Sequence, residues 1–122
     1  MMPIIAAAIQ MTSGDDIAAN ITQLEPLLAQ AVARGARLVA TPENTFYMRR
    51  EGTAAATDVA MQQHAGVQYA KAAAQPHGIW LLIGSIRARE AGMDKPFNRS
   101  IFISPAGEVV ATYDKIHLFD VT

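Results

Sequence analysis

Tyr113-Asp114-Lys115-Ile116-His117-Leu118-Phe119-Asp120 puts one lysine where a β-branched, aromatic run, Glu108-Val109-Val110-Ala111-Thr112-Tyr113, gives way to a polar loop. Such residues suit a pleated, half-buried surface, and the preceding Ser104-Pro105-Ala106-Gly107 has the composition of a tight turn. The run is therefore expected to be a strand with Lys115 near its carboxyl end. On its own, a lysine leaving a strand is a solvated edge charge. Thr41-Pro42-Glu43-Asn44 changes that reading, because it ends another apolar run, Leu38-Val39-Ala40, and sets Glu43 at a strand's carboxyl end as well. In open α/β sheets ligands bind in the crevice beyond those ends, so a glutamate and a lysine placed there make a candidate polar site. Alone, Glu43 would serve equally as a loop or helix-capping carboxylate.

Working outward, Pro3 to Ile9 is apolar without alternation and reads as a strand buried on both faces, as parallel strands are. Ser13 and Asp16 resemble a capping pair that opens a helix. In that helix Ile21, Leu24, Leu28, Ala31 and Val32 recur at helical spacing, Gly35 supplies the stop, and Pro26 is expected to bend the middle. Ala36 to Thr41 then forms a second strand, so the order β-α-β implies parallel pairing.

Phe46 to Thr57 has no period and reads as a loop over the site, with Tyr47 a candidate substrate contact. Arg49 and Arg50 could grip a carboxylate bidentately, but are read first as solvated surface charges. Val59 to Gln75 is expected to be a second helix with Met61, Ala65, Tyr69 and Ala72 along one side, broken by Pro76-His77-Gly78. His64 and His77 stand alone, without metal-ligand spacing, and are read as structural or surface residues. Ile79 to Ile86 is the most apolar run and should be a central strand, and Ala91 to Pro96 an exposed turn. Phe97 to Ile103 and Glu108 to Tyr113 are close enough to pair as an antiparallel hairpin.

The 122 residues fit one small domain, and 51% hydrophobic content is ample for a core. A net charge of -1, with both signs scattered, provides no basic stripe for nucleic acid. Pro3 to Ile9 is too short to span a bilayer and no charged segment precedes it, so no membrane association and a cytoplasmic location are expected. No Gly-rich phosphate loop follows any strand, no His/Glu pair stands at metal spacing, and neither Ser85 nor Ser100 has the Gly-flanked elbow of a serine hydrolase. No metal or cofactor is expected. The chain has no Cys, which excludes disulfides and a cysteine nucleophile of its own.

Ala8-Ile9-Gln10-Met11, Pro42-Glu43-Asn44, Leu82-Ile83-Gly84-Ser85, Phe97-Asn98-Arg99-Ser100 and the Lys115 segment, in this order of elements, resemble the nitrilase (carbon-nitrogen hydrolase) superfamily over essentially the whole chain. Lys115-Ile116-His117-Leu118-Phe119-Asp120 is similar to the small-acid amidases of the omega-amidase and deaminated glutathione amidase branch. The resemblance implies an α-β-β-α sandwich that dimerises through its helical layers, and a Glu-Lys-Cys triad. Glu43 would be general base and then general acid, and Lys115 would hold the oxyanion; separately from the resemblance, Asn98 and Tyr47 are candidate substrate contacts at the pocket rim. The family's cysteine lies on a later strand-to-helix turn. Residues 1–122 are therefore expected to be the N-terminal part of a single carbon-nitrogen hydrolase domain, inactive alone, that leaves strand edges and apolar faces uncovered and joins a copy of itself or a partner. A short, non-catalytic assembly module, a nitrilase and an N-carbamoyl amidohydrolase are the alternatives.

Overall fold

A computed structural model describes residues 2–50 and 59–118. The elements are β1 (Ile5–Ala8), α1 (Ile17–Ala33), β2 (Ala36–Ala40), a 3₁₀ turn (Met61–Gln63), α2 (Ala65–His77), β3 (Trp80–Ala88), β4 (Phe97–Ile103) and β5 (Val109–Asp114). They build one five-stranded sheet in chain order. β1, β2 and β3 are parallel, and β3, β4 and β5 antiparallel. The α/β order, the parallel β-α-β start and the closing hairpin are those expected, and the Ile79–Ile86 run supplies the middle strand.

Both helices cover the same sheet face. Leu24 and Leu28 of α1 and Val67, Ala70 and Ala74 of α2 form one cluster with Val39, Leu81, Ile83, Ile101 and Ile103 of the strands. Burying each of the larger side chains contributes about 1.5–3 kcal/mol, so this layer supplies most of the drive to fold. Phe46 joins the cluster from the loop after β2, and Gly66 of α2 makes room for it, since a Cβ there would collide with the phenyl ring.

Three expectations are corrected here. β1 is shorter than the apolar run that contains it and is largely exposed, with Ile4 at 66% and Ile5 at 53%. It is an edge strand, so the absence of alternation reflected small alanines and not double-sided burial. Helix α1 is capped by Asp16 itself, whose side chain accepts from the Ala19 N–H at 3.1 Å, while the Ser13 hydroxyl donates to the Thr45 carbonyl at 2.7 Å. α2 begins at Ala65, not Val59, and buries Gly66, Val67, Ala70 and Ala74, leaving Ala65 and Ala72 exposed. In so Ala-rich a segment apolar residues fall on every side, and the stripe has little contrast. Pro26 is exposed and α1 runs through it, because the carbonyl it leaves unbonded, four residues earlier, shares its solvated side.

Among the described residues nothing covers the opposite sheet face. Leu38, Trp80, Leu82, Phe102, Ala111 and Tyr113 fall on it by register, Trp80 stacks on Phe102 with ring centroids 5.2 Å apart, and Trp80 and Tyr113 stay 41% and 58% exposed. Among the described residues no helix is long and apolar enough to cross a membrane.

Candidate active site

Glu43 leaves β2 on a turn that β3 holds from below. The Asn44 N–H donates to the Ser85 hydroxyl at 2.9 Å, the Thr45 N–H to the Ser85 carbonyl at 3.3 Å, and the Thr45 hydroxyl to the Thr41 hydroxyl at 2.7 Å. Ser85, Thr41 and Thr45 are all buried, so these bonds are shielded from water. Gly84 permits the approach: a Cβ there would collide with the Thr41 and Pro42 carbonyls. Asn44 adopts φ +52°, a left-handed value that asparagine tolerates better than most residues. Farther along, the Asn20 side-chain amide donates to the Phe46 and Gly14 carbonyls at 2.8 and 2.9 Å, tying the segment after Glu43 to α1.

Lys115 arrives from the far side of the sheet, one residue past β5. Its N–H donates to the Asn98 carbonyl at 2.9 Å, so Asn98 and Lys115 sit opposite one another at the end of the hairpin ladder. Their side chains meet one oxygen: Lys115 Nζ lies 3.6 Å and Asn98 Nδ2 3.5 Å from Glu43 Oε1. A carboxylate, an ammonium and a carboxamide thus converge from three segments distant in sequence. The Glu43 and Lys115 side chains are 59% and 45% exposed, so the cluster opens outward and an incoming group can reach it.

Directly behind this trio lies a second charged cluster. Arg99 pairs with Asp114 in register, and its guanidinium forks onto both carboxylate oxygens at 2.6 and 3.1 Å, with Glu90 accepting from the third nitrogen at 3.1 Å. The guanidinium also stacks over the Phe97 ring at 4.9 Å. The hydrogen bond to Asp114 chiefly, helped by Glu90, raises the Arg99 pKa above its ordinary value and keeps the side chain charged.

The other sequence candidates fall elsewhere or deeper. Tyr47 is buried, at 8% exposure. Arg50 is solvated, with Asp15 3.7 Å away, and Arg49 is exposed. Residues 51–57 of the expected loop lie outside the described residues. His64 is structural: it caps α2 with Nδ1 accepting from the Gly66 N–H at 3.1 Å, and burial lowers its pKa. His77 closes α2 ahead of Gly78, which takes φ +62°. Among the described residues no three His, Asp or Glu side chains gather as a metal site. Sequence reasoning left Ser85, Thr41 and Arg99 without roles.

The family model described as carbon-nitrogen hydrolase matches residues 5–122. The chain belongs to that family. Among similar carbon-nitrogen hydrolases are the deaminated glutathione amidase of Synechocystis sp., 37% identical over 99% of this chain and 44% of its own length, and that of Yersinia enterocolitica, 34% identical over 94% and 40%. The human omega-amidase NIT2 is 30% identical over 94% of this chain and 41% of its own. An amidase from Nesterenkonia sp. superposes with a TM-score of 0.78 at 27% identity, covering 95% of this chain and 44% of that one. Another structure of that amidase, at 25% identity and a TM-score of 0.79, has acrylamide added at its active-site cysteine. The fold is thus that of the nitrilase-superfamily amidases, and the chain spans less than half the length of these relatives.

Proposed function

We propose that this chain is the N-terminal part of a single carbon-nitrogen hydrolase domain that releases ammonia from an amide of a small carboxylic acid. The convergence of Lys115 Nζ and Asn98 Nδ2 on Glu43 Oε1 carries this reading. The amidases it resembles at 30% identity and above point the same way. The bare apolar sheet face, on a chain less than half as long as those relatives, supports a domain whose remainder covers it.

In this reading the sulfur comes from the remainder of the domain, since the chain has no Cys and is inactive alone. Glu43 takes the thiol proton as the sulfur attacks the amide carbon. The carbonyl electron pair moves onto oxygen, and Lys115 balances that charge. Glu43 then returns its proton to nitrogen, ammonia leaves, and a thioester remains. Water, deprotonated by Glu43, attacks the thioester, and collapse of the second oxyanion frees the acid and restores the thiol. Asn98 helps to seat the substrate, and the protein works in the cytoplasm as a homo-oligomer.

The test is ammonia release by the full-length protein from ω-amides of dicarboxylic acids. Glu43→Gln and Lys115→Ala are each expected to lower kcat by at least about 100-fold, the scale of losing a proton shuttle or an oxyanion contact. Undiminished release from both variants would remove the assigned roles.

A further inference from the structure

The Arg99 side chain bonds to Asp114, Glu90 and Met61 and lies on the ladder that carries Lys115. Cross-strand partners share a sheet face and successive residues alternate, so Asn98 and Lys115 occupy one face and Arg99 and Asp114 the other. Lys115 is the first residue beyond β5, where a hairpin end frays unless something holds it. Two features hold it here. One is the N–H of Lys115 on the Asn98 carbonyl; the other is the two-toothed Arg99–Asp114 bridge one step before.

The bridge is built for restraint. The Arg99 side chain is only 13% exposed, its planar fork fits both Asp114 oxygens, and Glu90 fixes the remaining edge. Glu90 also accepts from the Met61 N–H at 3.5 Å, and the Met61 sulfur lies 3.8 Å from Arg99, so the 3₁₀ turn before α2 joins the clamp. A second effect is electrostatic. By occupying both oxygens of Asp114, Arg99 neutralises the carboxylate adjacent in sequence to Lys115. Lysine is a flexible point charge, and a free neighbouring carboxylate would draw it from Glu43.

We propose that Arg99 is a positioning residue: through its bridge to Asp114 it holds the end of β5 and thereby keeps Lys115 over Glu43. The inference rests on the hydrolase reading for its kinetic consequence only, since the placement itself is measurable without turnover.

The experiment uses the full-length protein with Asp114→Asn, Arg99→Met and the exchanged pair Arg99→Asp with Asp114→Arg. Hydrogen exchange at the Lys115 amide and kcat and KM on an ω-amide substrate are read together. Each single variant should speed Lys115 exchange by about tenfold or more. It should lower kcat by about 10- to 100-fold, the cost of misplacing a reacting group by roughly an ångström, with KM changed about twofold at most. The exchanged pair should recover much of both. Asp114→Asn is nearly isosteric and keeps the test available if Arg99→Met does not fold. Unchanged Lys115 exchange in the folded Asn variant would overturn the proposal, as would faster exchange with an unaltered kcat. A wild-type protein inert toward every ω-amide would sink the hydrolase reading instead, and the exchange measurement would still decide whether Arg99 positions Lys115.

Discussion

His64 shows how one side chain can make the scaffold sensitive to acid. It accepts the Gly66 N–H only while Nδ1 is unprotonated, and it is 1% exposed with its ring 6.1 Å from that of Phe46. Burial lowers its pKa from 6.5, so the folded protein resists protonation that the unfolded chain accepts. The unfolded state therefore binds more protons below pH 6.5, and stability must rise with pH through that window. The contribution is complete above the unfolded value and is lost as pH falls from there toward the lowered folded one. Thermal midpoints measured from pH 7.5 to 5 should decline, and His64→Asn, which keeps a cap acceptor without a titrating ring, should flatten that part of the curve. Tyr69 offers no such handle, because burial and then Glu25 push its hydroxyl up to about 12.

At the scale of elements, the turn bearing Glu43 depends on how closely β3 lets it lie. Gly84→Ala inserts a methyl against the Thr41 and Pro42 carbonyls, both backbone, so the turn must move away. A loss of about 1–3 kcal/mol in denaturant unfolding is expected, and in the full-length enzyme a fall in kcat beyond what that loss of stability explains. The motif Leu82-Ile83-Gly84-Ser85 was legible as a family mark, but its purpose was not, since the Thr41-Pro42 turn that packs on Gly84 is distant in sequence. The hairpin was legible in the same partial way. Counting outward from the turn pairs Arg99 with Tyr113, yet a register shift between Phe102 and Ile103 moves the ladder by one and brings Arg99 to Asp114. Nothing in the apolar pattern of Phe97 to Ile103 announces that bulge. The Ala-rich α2 failed to reveal its inner side for a related reason, its alanines being acceptable on both.

For the whole molecule, the strand order and the meeting of Glu43 with Lys115 followed from where apolar runs end, which is a property of long stretches and survives errors of a residue or two. Which sheet face lies bare did not follow, because β3 is apolar on both sides: Leu81 and Ile83 lie under the helices and Trp80 and Leu82 face outward. The 122-residue chain by itself is expected to associate through that face as concentration rises, seen by light scattering or sedimentation. Leu82→Lys with Phe102→Lys should weaken association by about 100-fold or more, given roughly 1.5–3 kcal/mol for each large apolar side chain withdrawn. The alternating charges at the hairpin end have a further effect on assembly. If β5 slipped by one residue against β4, every side chain would change faces, and Asp114 would confront Glu43 where Lys115 belongs. Two carboxylates would then repel across the cleft while the arginine behind them lost its mate. The charge order thus proofreads the alignment of the last strand, and a mispaired chain is penalised electrostatically before any substrate arrives.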